Sequence, residues 1–182
     1  STAIAAEELA DCGAEVLIRV GTCGGIALDV AGNDLVVATG AVRQDGTSHE
    51  YAPPEYPAVP DFGVTAALLA GAEATGRRVH AGVVQSKDSF YGQHAPARMP
   101  TAASLAEKWE AWRRLGVLAS EMEAAALFTV GAARGLRTGA VFHVIWNQER
   151  AAAGLDTDAD ESHDTSAAIR AAVEAIRSLS GR

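Results

Sequence analysis

Val16-Leu17-Ile18-Arg19-Val20-Gly21-Thr22-Cys23-Gly24-Gly25-Ile26 joins an unbroken apolar run to a glycine-rich stretch, and this junction decides the fold. A short apolar run bounded by turn residues is the pattern of a strand buried on both faces, as in a parallel sheet covered by helices. Glycines at the end of such a strand let the backbone approach a ligand closely and turn with φ > 0, and backbone N–H groups there can point inward. Arg19 and Thr22 add a planar cationic fork and a hydroxyl, so the chemistry fits an anion, phosphate above all. A glycine pair taken alone is equally the mark of an ordinary strand-to-loop turn, and the reading depends on the segments that follow.

Apolar and period-two runs predict further strands at residues 35–42, 79–85 and 138–146, with the first covering 15–20 and a short one near Val117-Leu118. Residues 62–75, 105–115, 124–134 and 165–179 carry helical patterns. Strands alternating with helices predict a single α/β domain with a mixed, mostly parallel central sheet flanked by helices. Such sheets bind ligands just beyond the carboxyl ends of their strands, so the polar segments there are the ones to search. Ser1 is placed to cap a helix over Ile4, Ala5, Leu9 and Ala10, with Glu7 and Glu8 near its positive end. An α/β fold normally supplies a strand before its first helix, which leads to the expectation that residues 1–182 lack the N-terminal part of the domain.

With 182 residues, 48% of them hydrophobic, the chain is long enough for one substantial core. Its 23 acidic against 15 basic residues, net −8, exclude a nucleic-acid backbone or an anionic membrane as partner of the surface as a whole. Any phosphate site is therefore a local pocket. Cys12 and Cys23 are too few for a disulfide framework and have no metal-site spacing, and no run is long enough to span a bilayer, which together predict a cytoplasmic protein without metal or cofactor. The segment 44–60, with His49, Glu50, Tyr51 and four prolines, reads as a long irregular loop, a type often functional. The acidic segment 151–164, with Asp156, Asp158, Asp160 and Glu161, lacks the glycine and terminal glutamate of an EF-hand and reads as a solvated or mobile connection.

Two more strand ends carry chemistry. Ser86-Lys87-Asp88-Ser89-Phe90-Tyr91-Gly92-Gln93-His94 combines rings that can stack on a flat base with an amide offering a donor and an acceptor side by side, as the edge of a pyrimidine or purine lactam requires. Ala119-Ser120-Glu121-Met122-Glu123 opens an apolar helix with two glutamates. Either can offset the helix dipole, and either can accept hydrogen bonds from the adjacent hydroxyls of a ribose. An acid–base pair for glycoside hydrolysis fits less well, because these positions do not put carboxylates on opposite faces of a sugar.

These segments together resemble the uridine phosphorylase branch of the hexameric nucleoside phosphorylase family over nearly the whole chain. Residues 1–9 look like the family's first helix, which there follows a glycine-rich phosphate loop. Arg19 to Ile26 matches its phosphate-binding stretch, Val42-Arg43-Gln44-Asp45-Gly46 with Tyr51-Ala52-Pro53 a characteristic loop, Asp88-Ser89-Phe90-Tyr91 with Gly92-Gln93 the base pocket, and Glu121-Met122-Glu123 the ribose signature.

The resemblance implies phosphorolysis of a nucleoside, uridine above all, to free base and ribose 1-phosphate in nucleoside salvage. Phosphate is the co-substrate and the enzyme a homo-oligomer, a hexamer built from dimers. Arg19 and Thr22 would bind phosphate; Thr22, Cys23, Met122, Glu121 and Glu123 would surround the ribose; Phe90, Gln93, Gly24 and Arg98 would face the base. Arg98 enters because Ala95 stands where the family has an arginine two residues after the glutamine. Asn147-Gln148 stands where purine-cleaving relatives carry an aspartate, which disfavours a 6-oxopurine substrate. A purine nucleoside phosphorylase, a nucleoside hydrolase of the same fold and a non-catalytic nucleoside-binding subunit are the alternatives. The five histidines are read as surface or packing residues, His94 being the one best placed for chemistry. Trp109 and Trp112, three apart on one helix face, read as core or interface with Trp146.

Overall fold

The computed structural model describes residues 1–157 and 161–181, so the expected roles of Asp158 and Asp160 lie outside the described residues. Among the described residues, β1 (Val16–Gly25), β2 (Leu35–Gln44), β3 (Val79–Lys87), β4 (Ala119–Glu121) and β5 (Arg137–Asn147) form one mixed sheet. The expected mixed α/β sheet is present, but it closes on itself in the order β1-β4-β3-β2-β5. Three pairings are parallel, β1 with β5, β2 with β3 and β3 with β4, and two are antiparallel, β1 with β4 and β2 with β5. The antiparallel pairings close the ring. They are short, meeting only at Gly24–Gly25 against Ala119–Ser120 and at Leu35–Val37 against Val141–His143.

Alternation along the strands sorts the core into two layers. Val36 and Ala38 on β2 and Ala140, Phe142 and Val144 on β5 join Cys23, Val84 and Phe128 in one cluster. Leu35, Val37 and Val141 join Val64, Leu68, Ala168 and Ala171 in the other. The helices around the sheet are α1 (Thr2–Asp11), α2 (Thr47–Tyr51), α3 (Phe62–Glu73), α4 (Phe90–His94), α5 (Ala102–Arg114), α6 (Ala124–Arg134), α7 (Gln148–Ala152) and α8 (Ser166–Leu179). The apolar run 124–131 of α6 is interior, every residue buried. On the other layer α3 crosses α8 so closely that a Cβ on Gly71 would lie 2.4 Å from the Ala171 carbonyl oxygen.

Several local expectations change. The fourth strand begins at Ala119 rather than Val117, because the Leu118 carbonyl is already taken by the amides of Ile26 and Ala27. Ser1 makes no side-chain cap, and Glu7 accepts from the Tyr51 hydroxyl at 2.9 Å and pairs with Arg134 instead of serving the dipole of α1. The segment 44–60 contains a helical turn, α2, and is organised by one side chain. Arg43 donates from Nε to Ser48 Oγ and from its terminal nitrogens to the carbonyls of Ser48, Ala52, Pro53 and Tyr56. Asp45 accepts from the amide and the hydroxyl of Ser48, both at 2.7 Å. The described part of segment 151–164 is tied down as well: Arg150 Nε donates to both oxygens of Asp156 at 2.7 and 2.8 Å, and the Ser162 amide to the Ile145 carbonyl at 3.0 Å. Among the described residues no helix is long and apolar enough to cross a membrane.

Candidate active site

The parallel ladder of β1 and β5 slips by one residue between Cys23 and Gly24, so the end of β1 is re-aimed toward the start of α6. Two glycines have steric reasons. A Cβ on Gly25 would lie 2.6 Å from the Asn147 amide nitrogen, and one on Gly21 would lie 3.0 Å from the guanidinium of Arg19. Arg19 and Gly21 share a face of β1, and the missing side chain lets Arg19 fold back over it. The guanidinium carbon stands 5.3 Å from the centre of the Phe142 ring, within cation–π range.

Arg19 meets both glutamates of the α6 start. Its Nε donates to Glu121 Oε2 at 3.1 Å, and a terminal nitrogen pairs with Glu123 Oε2. Glu121 is buried and fully occupied, accepting also from the amides of Glu123 at 2.8 Å and Ala124 at 3.0 Å and from the Ser86 hydroxyl. It therefore neutralises the first turn of α6 and orients Arg19 at once. Glu123 differs. Among the described residues its Oε2 is the one buried side-chain oxygen without a hydrogen-bond donor, its approach to Arg19 being an ion pair without hydrogen-bond geometry.

These groups line one cavity of about 460 Å³, a size suited to a nucleoside-scale ligand. Arg19, Thr22, Cys23 and Gly24 from β1, Phe90 from α4 and Glu121, Met122 and Glu123 from the α6 start all face it. Burial, with Glu121 nearby, pushes the Cys23 thiol far above its ordinary range, so it stays protonated and is not a nucleophile.

Phosphorylase superfamily features match this chain over residues 1–180. The chain belongs to the phosphorylase superfamily. It is 56% identical to the uridine phosphorylase of Treponema pallidum over 98% of this chain and 69% of that protein. The uridine phosphorylase of Klebsiella aerogenes is 40% identical over 98% of this chain and 71% of its own length. A guanosine phosphorylase of Halorubrum lacusprofundi is 36% identical over 98% of this chain and 72% of its own.

Two residues assigned to the base side stand elsewhere. Arg98 is exposed and lies over the Tyr91 ring at 5.4 Å, outside the cavity. Gln93 faces an adjoining cavity of about 490 Å³ and reaches the first only through Ser120, whose hydroxyl is 2.7 Å from Gln93 Oε1. Asn147 is fully buried and turned away from both, its amide donating to the carbonyls of Ala27 and Val30 at 2.8 Å and its oxygen capping α7. Trp109 and Trp112 are ties rather than plain packing, their indole nitrogens donating to Glu149 and Gln44. His49, His80, His143 and His163 hold backbone or carboxylate partners, and His94 and His163 face the first cavity. Burial, and then the charge of Lys87, lower the His94 pKa from its ordinary value.

Sequence reasoning missed Lys87. It lies one turn of the pleat beyond the expected end of the third strand, is only 6% exposed, and lines both cavities. Its ammonium donates to Ser120 Oγ at 2.7 Å, and burial outweighs the nearby Glu121 in bringing its pKa down from 10.5 to about 8. A lysine two residues past the expected strand end, on the segment that carries Phe90 and Gln93, was the available signal. Glu161, Ile145 and Trp146 also face the first cavity and were not foreseen there.

Proposed function

We propose that this protein cleaves uridine with inorganic phosphate to uracil and ribose 1-phosphate in nucleoside salvage, in the cytoplasm and without a cofactor. The observation that carries the reading is the convergence of Arg19, Thr22 and an incompletely satisfied Glu123 carboxylate on one nucleoside-sized cavity. The family membership and the uridine phosphorylases among its relatives support it.

In this reading the bond from ribose C1′ to the base nitrogen breaks through a sugar cation like that of glycoside hydrolysis. Phosphate held by Arg19 and Thr22 lies on one side of C1′ as nucleophile and counter-anion. Glu123 accepts the ribose hydroxyls beside Met122 and fixes the ring, an orientation effect worth several kcal/mol. Phe90 stacks on the base across the cavity, and Gln93 reaches its polar edge from the adjoining cavity beside Ser120. A homo-oligomer, a hexamer built from dimers, completes the proposal.

Uracil release should require phosphate or arsenate, and Arg19→Ala should raise the phosphate KM at least tenfold or abolish turnover, read by absorbance at the uracil difference band. Equal release in phosphate-free buffer would assign hydrolysis instead. Guanosine assayed beside uridine tests the base, and a higher kcat/KM on guanosine would move the protein to the purine-cleaving relatives.

A further inference from the structure

The charges around the cavity are unevenly matched. Arg19 is already met by two carboxylates, Glu121 and Glu123, whereas Lys87 makes no ion pair among the described residues and has one hydroxyl partner. A buried ammonium so sparsely partnered costs stability, and an apolar side chain of its length would cost less. Its place explains its retention. Lys87 stands where the two cavities join, and its Ser120 partner is 2.7 Å from the side-chain oxygens of both Gln85 and Gln93. Arg98 does not bring positive charge here, being exposed over the Tyr91 ring and outside both cavities.

We propose that Lys87 is the cation that stabilises the departing base, meeting the negative charge that collects on the base oxygens as the C1′–N bond breaks. The inference rests on the phosphorolysis reading above. When that bond breaks, its electron pair goes to the base nitrogen and is delocalised onto the exocyclic carbonyl oxygens of the base, while a phosphate oxygen forms the new bond to C1′. The uracil anion takes its proton from water after departure, and Lys87 keeps its own throughout. Ser120 and Gln93 hold the ammonium and the base edge in one hydrogen-bonded row, so that the charge is in place before the bond lengthens.

The test compares Lys87→Met and Lys87→Arg on uridine and on 5-fluorouridine, whose fluorine makes the base a better leaving group. Lys87→Met should lower kcat on uridine by about 10²-fold, the loss typical for one preorganised charge-stabilising donor. The loss on 5-fluorouridine should be at least fivefold smaller, the phosphate KM should stay within twofold, and Lys87→Arg should recover most of the activity. Lys87→Met should melt at or above the wild-type temperature, separating the effect from misfolding.

A second readout uses pH. The groups facing the ammonium are Glu121 and Glu123 at the α6 start, Cys23 and Arg19 on β1, His94 on α4 and the neighbouring Asp88. Cys23 is held protonated and the His94 pKa lies lower still, which leaves Lys87 to titrate in the mildly alkaline range. Wild-type kcat on uridine should therefore fall as pH rises through about 8, and Lys87→Arg should move that fall upward. Equal losses on both nucleosides, a rise confined to the phosphate KM, or an alkaline limb unmoved in Lys87→Arg would overturn the role of Lys87 and leave phosphorolysis intact. Failure of the wild type to release uracil with phosphate would overturn both.

Discussion

Asn147 is locked into the end of β5 by its own hydrogen bonds. Its side chain makes every hydrogen bond it can: two donated to the carbonyls of Ala27 and Val30, and two accepted from the amides of Glu149 and Arg150. Asparagine is needed here because only an amide both donates and accepts at one site. Asn147→Asp should therefore cost roughly 3–5 kcal/mol in urea unfolding, through two unsatisfied carbonyls and a buried charge facing them. Protonation would restore one donor, so the folded-state pKa of the new carboxyl would be raised and the deficit should narrow as pH falls toward 4. A loss below 1 kcal/mol at neutral pH would contradict this account. Base preference is then better sought at Lys87, Ser120 and Gln93 than at the end of β5.

At the scale of elements, the segment after β2 owes its shape to Arg43. A planar guanidinium that donates to a hydroxyl and to four carbonyls spread from Ser48 to Tyr56 substitutes for regular secondary structure over that stretch. Arg43→Ala should destabilise the protein by about 2 kcal/mol, a value kept modest because part of the fork faces solvent. Arg43→Lys should recover less than half, since a point charge cannot span these acceptors. Denaturant midpoints measure both, and full recovery by lysine would mean that charge alone holds the segment. The segment matters to the site because Gln44 and Asp88, which accepts the Gly46 amide at 2.8 Å, line the cavity beside Lys87.

The whole molecule leaves large apolar side chains exposed on widely separated elements: Ile4 on α1, Phe62 on α3 at 87%, and Ile169, Val173 and Ile176 along one face of α8. Scattered single residues are normal, but the α8 stripe recurs at helical spacing opposite buried alanines. Light scattering should give a mass that is a multiple of the 18.8 kDa chain, and a fully active monomer would remove the oligomer from the proposal.

Family resemblance put Arg19 and the acidic helix start in one site; local pattern was sufficient for the strands, for the longer helices, and for the location of chemistry at the carboxyl end of β1 and at the start of α6. These local readings follow from short-range rules: apolar periodicity, glycine at a close approach, a carboxylate at a helix N-terminus. Tertiary structure alone decided the rest. Closure of the sheet depends on antiparallel pairings between residues nearly a hundred or more positions apart, such as Gly24 with Ser120 and Val36 with Phe142, for which no local pattern exists. The same closure buries Lys87 between two cavities and turns Asn147 away from them. A lysine and an asparagine read as polar residues anywhere in a sequence, and only the fold sets what surrounds each, and with it the charge one carries and the bonds the other completes.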